Sequence, residues 1–547
     1  MRNPFFPLSI LAYLALLLFG LGSFPLIDWD ENIYGAISKG MFQSGEYFRM
    51  QVNGQTFGEK PPLFFWIVNG FYKILGISEI STRLPSVLSG LISFFVLVRF
   101  GSYLRNRNFG FVWAGIYASS LLPLVLARTA YIDHLFNTLI LISVLSFYLY
   151  SEREERNFRT RIVWAVGAGF FGSLAVLTKG PLGLGIPILI FVGNRIWERR
   201  FRFHFSDALV FAGVCLAVLS FYYLTNFLIY GDEFLVQFFD FQKKLLTQSL
   251  ESHTGPFYYH FIVAFIGFFP WTVFLFYLPK NIQFFKSKET ARISRYFLIW
   301  ILSVLLIFSV VKTKLPHYSS SIYIGFAFFA ALLWEEKKTE LAKAFRFMFL
   351  GVGLVFGLLF AGLPWILVQA ASNFGVSPSD LPEFSAWDSI PGLLLVLGIS
   401  ISFYYLIDDK KKGSENFLIS GVFCMLLFIA SLSTILVPKV LHFLQDGTLR
   451  LFDSASSSGN KIVFYKYLSF YPMFYREDRI HIVGSYKFKD ESELFKSTEK
   501  LSIICNENSL LELVLSYPDR KFETVSKENT VILLKSEPKL VSGPDQR

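Results

Sequence analysis

Apolar residues continue without a break for about 18 positions or more at many points along this chain, the length a helix needs to cross the hydrocarbon core of a bilayer. Shorter helices would serve a soluble core. Of the 547 residues, 53% are hydrophobic and 17% charged, and Phe alone occurs 64 times, which excludes a string of soluble domains. Counted in order, the runs give roughly thirteen spans and a polytopic α-helical membrane protein.

The charges give the runs a direction. The net charge of +10 does not mark a nucleic-acid binder, because Lys and Arg sit in short clusters between runs. The basic loops lie around Arg105 and Arg107, at 153–161, 195–202, 280–295 and 337–346, and at 410–412, and they read as cytoplasmic. The alternate loops, around 28–83, 128–133, 179–181, 231–257, 312–317 and 371–388, then face outward. Met1-Arg2-Asn3 precedes the run 4–27, which reads as a retained signal anchor with a cytoplasmic N-terminus. Cys215, Cys424 and Cys505 have no paired spacing, so thiolate metal binding and a disulfide framework are not expected.

An odd span count puts the tail outside, in the periplasm of a bacterium. Composition changes there: KIVFY (461–465), HIVG (481–484), LSIICN (501–506) and TVILLK (530–535) read as strands, with ESELFKS and SLLELVLSY helical. The expected organisation is a transmembrane domain at 1–438, with its first outer loop at 28–83, and a soluble α/β domain at 439–547.

Polar residues on the outer side carry the chemistry, since a cation at mid-helix costs roughly 2.5 to 3.5 kcal/mol and seeks a partner or an anion. Lys60, Arg128, Lys179, Lys312 and Lys314 are such cations, and several on one face point to a phosphate. Glu59-Lys60-Pro61-Pro62 is stiff and extended, which presents Lys60 in a defined direction; an ion pair with Glu59 is the alternative. Asp28, Asp30 and Glu31 follow the first run, where they act as helix caps or as reactive groups, and Asp133 opens a later run with the same two readings. Segments 31–43 and 62–75 have helical spacing and read as interfacial helices, with Phe64, Phe65, Trp66, Phe71 and Tyr72 as membrane anchors.

WDENIYG, FGEKPPLFFW, EISTRLPSVLSG, ARTAYIDHLFNTL, LAVLTKGPLGL, HTGPFYY with FFPWTVF, and VVKTKLPHY occur in the order seen in the GT-C membrane glycosyltransferases. The chain resembles the lipid A aminoarabinose transferases within that class, which also includes the protein O-mannosyltransferases. The resemblance implies thirteen spans and an outer α/β domain. It also implies a polyprenyl-phosphate-linked sugar as donor, a lipid A, glycan or protein acceptor, and transfer with inversion at the outer face of the bacterial inner membrane. By motif, it makes Asp30 and Asp133 the catalytic carboxylates, and Lys60 and Lys179 phosphate-binding cations; the position of Arg128, and of Lys312 and Lys314, on the same face adds them to the expected phosphate site. Glu31, Tyr34, His317 and Tyr318 fall to acceptor or sugar binding. Glu59 and His253 match positions that bind zinc in the aminoarabinose transferase. Membrane lipids are expected partners, and a lipid-linked sugar transporter or flippase is the competing reading.

Overall fold

The computed structural model describes residues 5–200, 204–247, 254–278, 290–337, 343–373, 381–407, 411–476, 480–484 and 489–539. After α1 (Phe5–Leu18) the first loop folds as α2 (Asp30–Ser44), a small hairpin of β1 (Gln51–Val52) and β2 (Gln55–Thr56), and α3 (Leu63–Leu75). The bundle continues with α4 (Glu79–Leu104), α5 (Arg107–Ser119), α6 (Leu121–Ala127), α7 (Ile132–Glu152), α8 (Phe158–Lys179), α9 (Leu182–Trp197), α10 (Phe205–Tyr230), α11 (Glu233–Thr247) and α12 (Tyr259–Gly267). It closes with α13 (Ala291–Val310), α14 (Ile322–Lys337), α15 (Lys343–Asn373), α16 (Ile390–Ile407) and α17 (Lys411–Ser457).

Eight described helices are long and apolar enough to cross a bilayer, and α5 with α6, bent by 75°, makes a ninth. This is a multi-pass membrane protein. A count of thirteen also requires α1, α9, α12 and α14, which have 14, 16, 9 and 16 residues. Polar or cyclic residues interrupt some of the apolar runs, Ser120 between α5 and α6 and Pro270 after α12.

The basic loops around Arg105, Arg153, Arg195 and Arg292 share one end of the bundle. Arg105 pairs with Glu335 at 3.1 Å, Arg195 with Glu154 at 2.6 Å and Arg292 with Glu198 at 2.8 Å, while the Arg153 guanidinium lies over Tyr103 at 5.8 Å. Helices α4 and α7 finish at this end, and α8 and α13 leave it. The opposite end therefore gathers the starts of α4 and α7 and the ends of α8 and α13.

That opposite end is fixed by a buried ion pair. Arg83 on α4 and Glu31 on α2 are both fully buried, joined at 3.1 Å from Nε and 2.8 Å from Nη2. The guanidinium also donates to the carbonyls of Leu21 (2.7 Å), Phe24 (3.0 Å) and Pro25 (2.9 Å) and stacks 3.9 Å from the Phe24 ring. Glu31 accepts from the backbone N–H of Ile27 at 2.9 Å and from that of Ala130. Every polar atom of the pair is used, the condition under which a buried charge pair is tolerated.

The aromatics of α3 are core residues. Phe64, Phe65 and Tyr72 are at most 1% exposed, so the expected membrane anchors are mostly packing groups, pressed against α2 through Tyr34. A short amphipathic helix under a polar loop looks the same in sequence whether lipid or protein covers its apolar face.

Helix α17 runs 47 residues through the expected boundary at Pro438, and strands begin only at β3 (Lys461–Tyr465). After a short helix, α18 (Tyr471–Tyr475), come β4 (His481–Val483), β5 (Leu501–Asn506), the helix α19 (Leu510–Ser516), β6 (Arg520–Glu528) and β7 (Val531–Pro538). The sheet order is β4-β3-β5-β7-β6, parallel among the first three and antiparallel beyond. Residues alternate across it: Phe464 and Ile504 join the core of the bundle, while Val463, Tyr465 and Ile503 pack a second core with Leu513 of α19. Strand β6 was not among the expected strands, because at this edge RKFETVSKE is largely exposed and charged.

Replacing Arg83 with Met leaves the Glu31 carboxylate buried without its counter-charge and is expected to cost about 3 to 5 kcal/mol of stability. Thermal unfolding in detergent should show a marked fall in Tm for Arg83→Met, partly recovered in the double variant Glu31→Leu/Arg83→Met.

Candidate active site

A cavity of about 390 Å³ opens where α2, α7, α8, α11 and the turn after α13 meet. Asp30, Tyr34, Glu59, Lys60, Asp133, Lys179, His317 and Tyr318 all line it, brought from distant parts of the chain to one place.

Local chemistry sets each of them. Trp29 has φ of +80°, a left-handed conformation that is strained for a bulky residue, and it turns the chain so that α2 begins at Asp30. Lys60, 9% exposed, is delivered by the stiff segment before Pro61-Pro62, with its ammonium 4.5 Å from the centre of the Phe241 ring on α11. Asp133 lies in the first turn of α7, and Lys179 is the last residue of α8, each favoured there by the helix dipole. The two form an ion pair, and the Lys179 ammonium also faces the Tyr318 ring at 4.7 Å. Gly180, at φ +108°, ends α8 against Phe238 of α11.

His317 sits between the two carboxylates, with Nε2 at 3.9 Å from Asp30 and 4.0 Å from Asp133. Burial lowers its pKa; Asp133 and Asp30 oppose that, while Lys179 and Lys60 add to it, and the net direction is down, towards a neutral imidazole. Burial, and then the charges of Asp30, Asp133 and Glu59, push the Tyr34 phenol up; burial with Asp30, Glu31 and Asp133 does the same for Tyr131. Both stay protonated and can donate hydrogen bonds into the cavity.

Four expected site residues lie elsewhere. Glu31 is consumed by Arg83. Arg128 donates to the carbonyls of Leu16, Leu17 (3.0 Å) and Phe19 (2.6 Å) and to Ser433 Oγ (2.8 Å), tying α1 to α17. Lys314 donates to the carbonyls of Phe308, Ser309 and Val311 at 2.6 to 2.8 Å, closing the end of α13. Lys312 is exposed and does not line the cavity. A cation beside a helix end satisfies carbonyl groups as readily as it binds phosphate, and local sequence does not separate the two. His253 lies outside the described residues. Glu59 is in the cavity wall, and among the described residues no three His, Cys, Asp or Glu side chains are arranged to hold a metal.

Trp29, Tyr131, Thr313 and Phe241 are cavity residues that sequence reasoning passed over. The first three flank motif residues directly. Phe241 carries no such signal, since only the tertiary fold brings α11 over Lys60.

The C-terminal domain touches this site from behind. Asp28, next to Trp29, accepts from Ser469 Oγ at 2.6 Å and from the Phe470 N–H at 3.0 Å, and Trp29 meets the Phe470 ring edge-on at 5.4 Å. Burial pushes the Asp28 carboxyl up, and the Ser469 and backbone hydrogen bonds pull it back. Asp28→Ala leaves buried donors unpaired and should cost about 2 kcal/mol or more. Hydrogen exchange at Phe470 should accelerate in that variant; unchanged protection would mean that the contact holds nothing.

Residues 59–223 match the family model described as dolichyl-phosphate-mannose-protein mannosyltransferase. Over 431 residues the chain is 26% identical to the undecaprenyl phosphate-alpha-4-amino-4-deoxy-L-arabinose arabinosyl transferase of Shewanella sediminis, covering 79% of this chain and 76% of that one. An uncharacterized protein of Aquifex aeolicus is 27% identical over 363 residues, 65% of this chain and 68% of its own length. The fold is similar to the crystal structure of ArnT from Cupriavidus metallidurans in the apo state, with a TM-score of 0.77, 17% identity and 97% of each chain covered. The same protein bound to undecaprenyl phosphate gives 0.76 and 15%, over 97% of this chain and 98% of that one. Motifs, family match and fold agree in likeness: the chain is a multi-pass membrane protein with the fold of ArnT, similar in sequence to the aminoarabinose transferases and, over residues 59–223, to the mannosyltransferase family model.

Proposed function

We propose that the chain transfers a sugar, hexose or pentose, from a polyprenyl-phosphate carrier to a lipid A, glycan or protein acceptor, with inversion, at the outer face of a bacterial inner membrane. The observation that carries this reading is the single cavity in which two lysines and three carboxylates meet at the end of the bundle opposite the basic loops. The basic loops set the cytoplasmic side, so the cavity and the C-terminal domain face the periplasm.

The chemistry asks little beyond charge placement. The carrier phosphate is already a leaving group, and its developing charge needs fixed cations. Lys60 and Lys179 supply them, and the protonated Tyr34 and Tyr131 add hydrogen-bond donors. Asp133 is bonded to Lys179 and holds that cation in place. Asp30, 3.9 Å from His317, is the carboxylate that faces the attacking group. Attack from the side opposite the departing phosphate inverts the anomeric carbon. The carrier's isoprenoid tail stays in lipid.

Lys60→Ala removes a buried cation from the phosphate and should weaken undecaprenyl phosphate binding to the full chain in nanodiscs at least thirtyfold, from about 2 kcal/mol lost. Asp30→Asn should retain that binding and lose sugar transfer in cells, assayed by mass spectrometry of envelope lipids and glycans. Wild-type transfer by both variants would refute the assignment.

A further inference from the structure

We infer that the group this site glycosylates is an uncharged hydroxyl and not a phosphate, an inference that rests on the transferase reading above. The argument is a charge balance within the cavity wall.

Among the described lining residues, Asp30, Glu59 and Asp133 face Lys60 and Lys179, one negative charge in excess when His317 is neutral. Lys179 is already bonded to Asp133. The other buried cations of this end make no direct contact with the cavity, because Arg83, Arg128 and Lys314 are turned away into backbone carbonyls and none lines it. The carrier phosphate adds further negative charge and takes up both lysines.

A second phosphate would have to enter beside Asp30, at the place left for the acceptor. Two unit charges of like sign 4 Å apart repel by about 4 kcal/mol at the effective dielectric of a partly buried site. No further Lys or Arg among the described residues lines the cavity to offset it. A hydroxyl brings no charge, and it needs what a phosphate nucleophile does not need, a group to take its proton. The cavity offers that group in Asp30, 3.9 Å from His317, while Asp133 is engaged by Lys179.

The step balances without a further reactant. The hydroxyl oxygen forms a bond to the anomeric carbon as the bond from that carbon to the carrier phosphate oxygen breaks. The electron pair leaves with the polyprenyl phosphate, and the hydroxyl proton passes to the Asp30 carboxylate.

The linkage in the product tests this. Envelope lipids and glycans from cells with and without the gene, and from cells carrying it again on a plasmid, are compared by mass spectrometry and by 31P NMR after mild acid. The expected product, lost on deletion and restored by the plasmid, carries an O-glycoside that survives mild acid, with the phosphate signals unchanged. A sugar released by mild acid, with a phosphodiester signal returning to monoester, would overturn the inference and leave the transferase reading standing. No sugar lost on deletion would overturn both.

Discussion

The site depends on one interaction, the buried pair between Glu31 and Arg83. Desolvating two ions costs several kcal/mol each, and the pair survives because its remaining donors and acceptors are all engaged. Through those bonds the end of the first span, the start of α2, α4 and the turn before α7 become one rigid piece. Asp30 is adjacent to Glu31, and Asp133 lies three residues beyond Ala130. Asp30 and Asp133 are therefore set by a pair that does not itself line the cavity.

The same economy explains the C-terminal domain. It shares α17 with the bundle, contributes one sheet face to the bundle core and holds Asp28 through Ser469 and Phe470. Trp29, strained at positive φ, lies between that anchor and Asp30. Strain of this kind persists only where surrounding contacts over-determine it, and here the contacts come from the other end of the chain.

Much of this was legible in the sequence. Hydropathy gave the membrane class, the alternation of basic loops separated the two ends of the bundle, and period-2 patterning gave four of the five strands of the C-terminal sheet. Asp30, Lys60, Asp133, Lys179, His317 and Tyr318 were marked as polar groups at the ends of apolar runs, and they meet in one cavity. Arg128, Lys314 and Glu31 carried the same mark and serve structure instead. The difference lies in tertiary partners, a carbonyl row or an opposite buried charge, which leave no trace in local pattern. Phe241 was silent for the converse reason, since an aromatic on an amphipathic helix does not announce the distant lysine it covers.

What distinguishes this cavity from an ordinary polar pocket is that its cations are few and placed. Lys60 is nearly buried against an aromatic face, and Lys179 is held by a carboxylate, so neither can relax far toward solvent. The most direct test is a structure of the full chain in nanodiscs with undecaprenyl phosphate. The account predicts the phosphate inside the cavity, within hydrogen-bond distance of Lys60 Nζ, with the isoprenoid tail leaving toward lipid. A phosphate bound at the basic end of the bundle, or outside the cavity with Lys60 untouched, would contradict it.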